Sequence, residues 1–238
     1  MKKLTPLLIA ALAASAQAAA AATVAEIAAM RPAEVARLFL PRAQAATIIN
    51  AKIASGGMLP PGFHEVTLSA AASPIRPGVC GRDYYRFYVT AKRDGGPAVA
   101  ADPDTIRPSP EITLSKRCDK LAGRAMAKVQ PGTDAKAAVD MLAWLDDIRG
   151  KAKQRGPMRF DALCDSKIKL NRCSKGAMFA LATLPLEQAF AIGIADHNPA
   201  KWQLYVPDKV GRAAWTVDVD RSGARPEIAM QLDYPPPF

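Results

Sequence analysis

Cys80 and Cys118 bracket the stretch that most limits what this chain can fold into. Between them, Tyr84-Tyr85-Arg86-Phe87-Tyr88-Val89 is the most aromatic run of the protein. Its Tyr85, Phe87 and Val89 are spaced for a buried face and Arg86 for an exposed one. Glu111-Ile112-Thr113-Leu114-Ser115-Lys116 alternates in the same way. As antiparallel neighbours, one strand begins at Cys80 and the other ends at Cys118, which sets both sulfurs at one end of the ladder. A Cys80–Cys118 disulfide is therefore expected, and Cys164–Cys173 follows because those two are close in sequence. Four cysteines allow three pairings, and an even number suits an oxidising compartment. No C-x-x-C occurs, so structural bridges are expected rather than a metal site or a redox centre. No cofactor is implied.

The first residues agree with that compartment. Lys2-Lys3 supplies a positive start, Thr5 to Ala14 an apolar stretch, and Ala16-Gln17-Ala18 an A-x-A cleavage site. Residues 1–18 are read as a signal peptide cut near Ala18/Ala19. No cysteine follows the apolar stretch to take a lipid, and no twin arginine precedes it. No later stretch approaches the roughly 20 apolar residues that a membrane span needs. The expected address is periplasmic or secreted.

About 220 residues remain after cleavage, enough for one large domain or two small ones. The formal charge of +10 falls to +8 without Lys2 and Lys3. Its distribution is uneven. Arg149, Lys151, Lys153, Arg155, Arg159, Lys167, Lys169, Arg172 and Lys175 are opposed between them only by Asp161 and Asp165, so this segment alone carries +7. These nine residues are the candidate anion-binding set.

Thr23-Val24-Ala25-Glu26 is a capping box, Pro32 and Glu34 suit a helix first turn, and 41–55 has helical spacing ended by Gly56-Gly57. A strand is expected from Phe63 to Ser69. Lys92 to Pro110 reads as a long mobile loop. Thr133 should cap a helix that buries Ala135, Ala138, Val139, Leu142, Leu145 and Ile148 and breaks near Gly150. Met158 to Leu163 reads as a strand, and a helix follows from Ser174 to Leu184. Four strands come last: 189–195, 202–206, 214–220 and 227–233. The fold class expected is α+β, helices packed on antiparallel sheet, with an N-terminal half over 19–132 and a C-terminal half over 133–238. The C-terminal helix and four-stranded meander resemble the cystatin-like class, an analogy of fold that carries no function. Tyr85 to Lys92 and Trp202 to Lys209 are similar in pattern, each after a helix ending at Leu-Pro, which suggests a possible duplication.

Catalytic patterns are sparse. His64 opens a strand and His197 lies in a turn. Ser166-Lys167-Ile168-Lys169 matches S-x-x-K without the partner motifs that chemistry needs. Asp218 to Gly223 opens like a calcium loop, but position twelve is Ala229, so a hairpin turn explains it better. Asp146-Asp147 suits the solvated side of a helix. The function expected is an exported, non-enzymatic protein that binds an anionic envelope polymer or a protein partner through 149–175. The alternatives are a small hydrolase of envelope glycan or ester bonds, and an inhibitor of an envelope hydrolase acting through the 92–110 loop. Nucleic acid is disfavoured by the compartment.

Overall fold

The computed structural model describes residues 22–56, 59–91, 96–155, 169–170, 175–208 and 212–233. Three short helices open it: α1 (Val24–Ala29), α2 (Pro32–Phe39) and α3 (Arg42–Ala45). The expected box closes α1, with Thr23 Oγ1 accepting the Glu26 amide and Glu26 Oε2 accepting the Thr23 amide at 2.7 Å. Strands β1 (Ile48–Ser55), β2 (Phe63–Ala70), β3 (Ser73–Arg76), β4 (Val79–Ala91), β5 (Ala98–Ala100), β6 (Ser109–Leu114) and β7 (Ala127–Val129) follow. The long helix α4 (Ala135–Arg155), β8 (Lys169–Leu170) and α5 (Lys175–Thr183) lead into β9 (Ala191–Ala195), β10 (Asn198–Pro207), β11 (Ala214–Asp220) and β12 (Glu227–Asp233).

The α+β, cystatin-like expectation is corrected here. The protein is mostly β: all twelve strands belong to one sheet, ordered β1-β2-β4-β6-β7-β9-β10-β11-β12-β8, with β3 and β5 paired to β4 off that path. The sheet is mixed, because β7–β9 and β12–β8 run parallel. The last four strands do form an antiparallel meander, but β7 continues it into the N-terminal strands, so among the described residues the meander is part of the larger sheet rather than a separate helix-plus-meander unit. The suggested duplication ends on the same fact. β2 meets an antiparallel hairpin partner, β1, whereas its supposed counterpart β9 meets β7 in parallel.

Local differences have physical reasons. The stretch read as a helix to Ser55 leaves the helix at Ala45 and becomes β1, since its β-branched isoleucines suit a strand once β2 is present to pair with it. The 92–110 segment is not structureless, because Ala98–Ala100 pairs with Val89–Ala91 of β4 and a 3-10 turn covers Pro103–Thr105. α4 runs through Gly150, which costs about 1 kcal/mol relative to Ala, and the i,i+4 pair of Asp147 and Lys151 spans that point. Asp134, not Thr133, caps it, accepting the Ala137 amide at 2.8 Å. The expected strand 158–163 lies outside the described residues.

β4 is the spine. Its first half, Val79–Tyr84, pairs with β6, and its second half, Tyr84–Thr90, pairs with β2. The Cys80–Cys118 disulfide forms as expected, with Cα atoms 5.5 Å apart. Tyr85, Phe87 and Val89 are buried with Val66, Leu68, Ile27, Val35 and Leu40 in one core. Val79, Ile112 and Val129 belong to a second core, with Leu142, Leu145 and Ile148 of α4 and Ile192, Leu204, Val217 and Ile228 of the meander.

Candidate binding surfaces

The basic set begins on α4, whose buried side carries Ala138, Leu142, Leu145 and Ala152. Arg149 does not face the solvent as an unopposed charge. Its Nε and Nη2 donate to Asp146 Oδ1 at 3.1 and 2.7 Å, and its Nη1 donates to Leu184 O at 2.7 Å and to Glu187 Oε2 at 2.9 Å. The guanidinium thus staples α4 to the 3-10 turn Leu186–Gln188. Lys151 is bound to Asp147, so the two aspartates expected to be solvated each hold a cation. Lys153 is exposed. Arg155 ends the helix, Lys169 lies in β8 in register with Glu227, and Lys175 opens α5. Arg159, Lys167 and Arg172 lie outside the described residues, as do Cys164, Cys173 and Ser166.

A second basic surface, not singled out in the sequence, is built on the disulfide. Lys116, Arg117, Lys120, Arg124 and Lys128 are all exposed, and Asp119 is the only carboxylate among residues 116–128. Their backbone is held from below. Arg82 and Glu111 stand in register on β4 and β6, with Lys128 of β7 next in the row. Arg82 and Glu111 form an ion pair at 2.7 Å with side chains only 5% and 4% exposed. Arg82 also donates to the carbonyls of Arg124 at 2.8 Å and Leu121 at 3.5 Å. The turn is therefore fastened at Cys118 covalently and at Leu121–Arg124 by a buried guanidinium. Lys128 Nζ lies 4.9 Å from the centroid of the Tyr84 ring, a cation–π contact worth about 0.5–1 kcal/mol at an exposed site. Burial is the main influence on Glu111 and lifts its carboxyl above the ordinary 4.5, against Arg82 and Lys128.

The imidazoles are placed apart. His64 Nδ1 is 2.7 Å from Ser55 Oγ, across the β1–β2 ladder. The hydroxyl could pass a proton to that ring, but the pair is exposed, and among the described residues no carboxylate hydrogen-bonds the imidazole to orient it. His197 and Asp196 form the tight turn between β9 and β10, with φ of 55° and 53°.

That turn edges an open cleft of about 590 Å³ lined by Gln130, His197, Lys201, Gln203, Asp218 and Asp220, among others. On its wall Gln203 Nε2 donates to Asp218 Oδ1 at 2.9 Å, and the Tyr205 hydroxyl donates to Gln203 Oε1. Asp220 accepts the Ser222 hydroxyl and amide at 2.6 and 2.8 Å, which hold its carboxyl below the ordinary range with Lys201 assisting. A carboxylate stabilised in its charged form is a poor general acid. The same contacts make Asp218–Gly223 a strand end and turn, as expected. Among the described residues no group of three or more His, Cys, Asp or Glu side chains is arranged to hold a metal ion.

No family model, curated protein or solved structure matches this chain.

Proposed function

We propose that the chain is an exported, non-enzymatic binding protein that holds an anionic component of the cell envelope, or an acidic protein partner, through the basic stretch 149–175. The observation that carries this reading is the charge of that stretch, +7 within 27 residues, starting at the end of a helix whose negative pole is turned toward it. Arg149 and Lys151 spend their charge on internal carboxylates, so Lys153 and the cations beyond it supply the field for a partner. Clustered lysines and arginines attract phosphate and carboxylate at long range and are screened by salt. The Cys80–Cys118 bridge supports export, since such bonds persist in oxidising compartments. Among the described residues no helix is long and apolar enough to cross a membrane.

The test is charge reversal. Lys153→Glu with Lys167→Glu, Lys169→Glu and Arg172→Glu should weaken retention on isolated envelope fragments by at least tenfold and flatten its salt dependence. Retention equal to the unmodified chain at every salt concentration ends the proposal.

A further inference from the structure

The β3–β4 hairpin ends in a tip that neither core uses. Every residue from Ser73 to Gly78 is exposed, and Ile75 keeps 52% of its surface in water. Gly81 explains where Ile75 rests. A Cβ on Gly81 would lie 2.2 Å from Ile75 Cδ1, so the isoleucine leans on bare β4 backbone at the sheet margin. Pro74 and Pro77 stiffen the tip, and Gly78 turns it with a φ of 80°.

Beside the tip runs the segment Ser115–Cys118, held to β4 by the Cys80–Cys118 bridge. The two enclose an open groove of about 390 Å³ lined by Pro74, Ile75, Arg76, Pro77, Lys116 and Cys118. The 3-10 turn that continues the segment, Cys118–Lys120, packs beside β3. Around the apolar tip stand Arg76, Lys116, Arg117 and Lys120, opposed by Asp140, which binds Arg76 at 2.8 Å, and Asp119, which binds Arg117 at 2.8 Å. Four cations against two carboxylates leave +2 around an exposed isoleucine.

We infer that this tip and its basic rim form a docking surface for a phosphate-bearing lipid bilayer. Cations at such a surface are drawn to anionic headgroups, while an apolar side chain and flat prolines enter the boundary between headgroup and acyl chain. A soluble polyanion would use the cations and leave Ile75 idle; a lipid surface uses both. The inference rests on the export reading for its location, but its residues are separate from 149–175.

Co-sedimentation of the mature, exported chain with vesicles tests it. Phosphatidylglycerol vesicles should retain the chain at low salt, with retention falling as salt rises, and phosphatidylcholine vesicles should not. Ile75→Ser should lower phosphatidylglycerol binding roughly tenfold and leave binding to inorganic polyphosphate unchanged. Lys116→Glu with Lys120→Glu should lower both, the former by roughly a hundredfold. Circular dichroism checks that each variant keeps its fold. If Ile75→Ser leaves vesicle binding intact, the surface is a polyanion site and the lipid inference is overturned. If the rim reversal is silent while reversal within 149–175 abolishes retention on envelope fragments, the inference falls and the proposed function stands. If no form of the chain binds either vesicles or envelope fragments, both fall.

Discussion

A carboxylate that is only 4% exposed, like that of Glu111, is costly unless something opposes its charge. Arg82 opposes it, and the same guanidinium fastens the turn that carries the second basic surface. Removing one partner from a pair of this kind generally costs about 3–5 kcal/mol, because the other charge is stranded. Burial nonetheless lifts the Glu111 carboxyl above its ordinary 4.5, so the folded chain binds that proton more tightly than the unfolded one. The contribution of this group to stability is then full below its unfolded value and shrinks as pH rises through the folded one. Glu111→Gln removes the titration. Urea midpoints measured from pH 4 to 7 should therefore shift in favour of the variant, relative to the native chain, as pH climbs. A shift the other way would mean that Arg82 outweighs burial.

Among the elements, the parallel joint between β7 and β9 is, like β6–β7 and β12–β8, one of the narrow ones of the sheet. Only Lys128↔Ala191 and Val129↔Ile192 are in register there. Gln130 N to Ile192 O at 2.9 Å and Ile194 N to Thr133 Oγ1 at 3.0 Å extend it. Gly193 lets Gln130 lie close: a Cβ at 193 would stand 2.6 Å from Gln130 Cβ, an atom too near the backbone to swing aside. Gly193→Ala should cost about 1–3 kcal/mol, the range for overpacking, and speed amide exchange at Gln130 and Ile194. Unchanged exchange and stability would show that the joint gives freely. None of this was legible in the sequence, because a three-residue strand has no period to read and its partner lies more than sixty residues away. The meander strands were legible, since each is a run of five or more residues rich in apolar side chains and bounded by turn residues. Ile48, Ile49 and Ile53 fit a helical spacing as well as a strand, and only β2 decides between them. For the candidate sites, the cations could be counted, but their neutralisation could not: Glu187, which holds Arg149, lies 38 residues further along. Arg82 and Glu111 gave no signal beyond polar positions in alternating strands, and which of them face each other depends on a register set by the whole sheet.

At the scale of the molecule, two hydrophobic cores share one strand. Val79 of β4 belongs to the core of α4 and the meander, while Tyr85, Phe87 and Val89 belong to the core of the first helices. A 13-residue strand with buried side chains in both cannot leave one ladder without disturbing the other. The two cores are therefore expected to unfold together, as a two-state system does. The tryptophans make this measurable. Trp144, Trp202 and Trp215 all sit in or against the α4–meander core, and none packs with the other. Fluorescence thus reports one core, while far-UV circular dichroism reports the whole sheet. Val89→Ala, at a fully buried position of the core without tryptophan, should cost about 2 kcal/mol. If β4 transmits that loss, both signals shift to the same lower denaturant midpoint and remain coincident. A tryptophan transition that stays at its native midpoint while the dichroism splits into two steps would mean that β4 can fray in its second half.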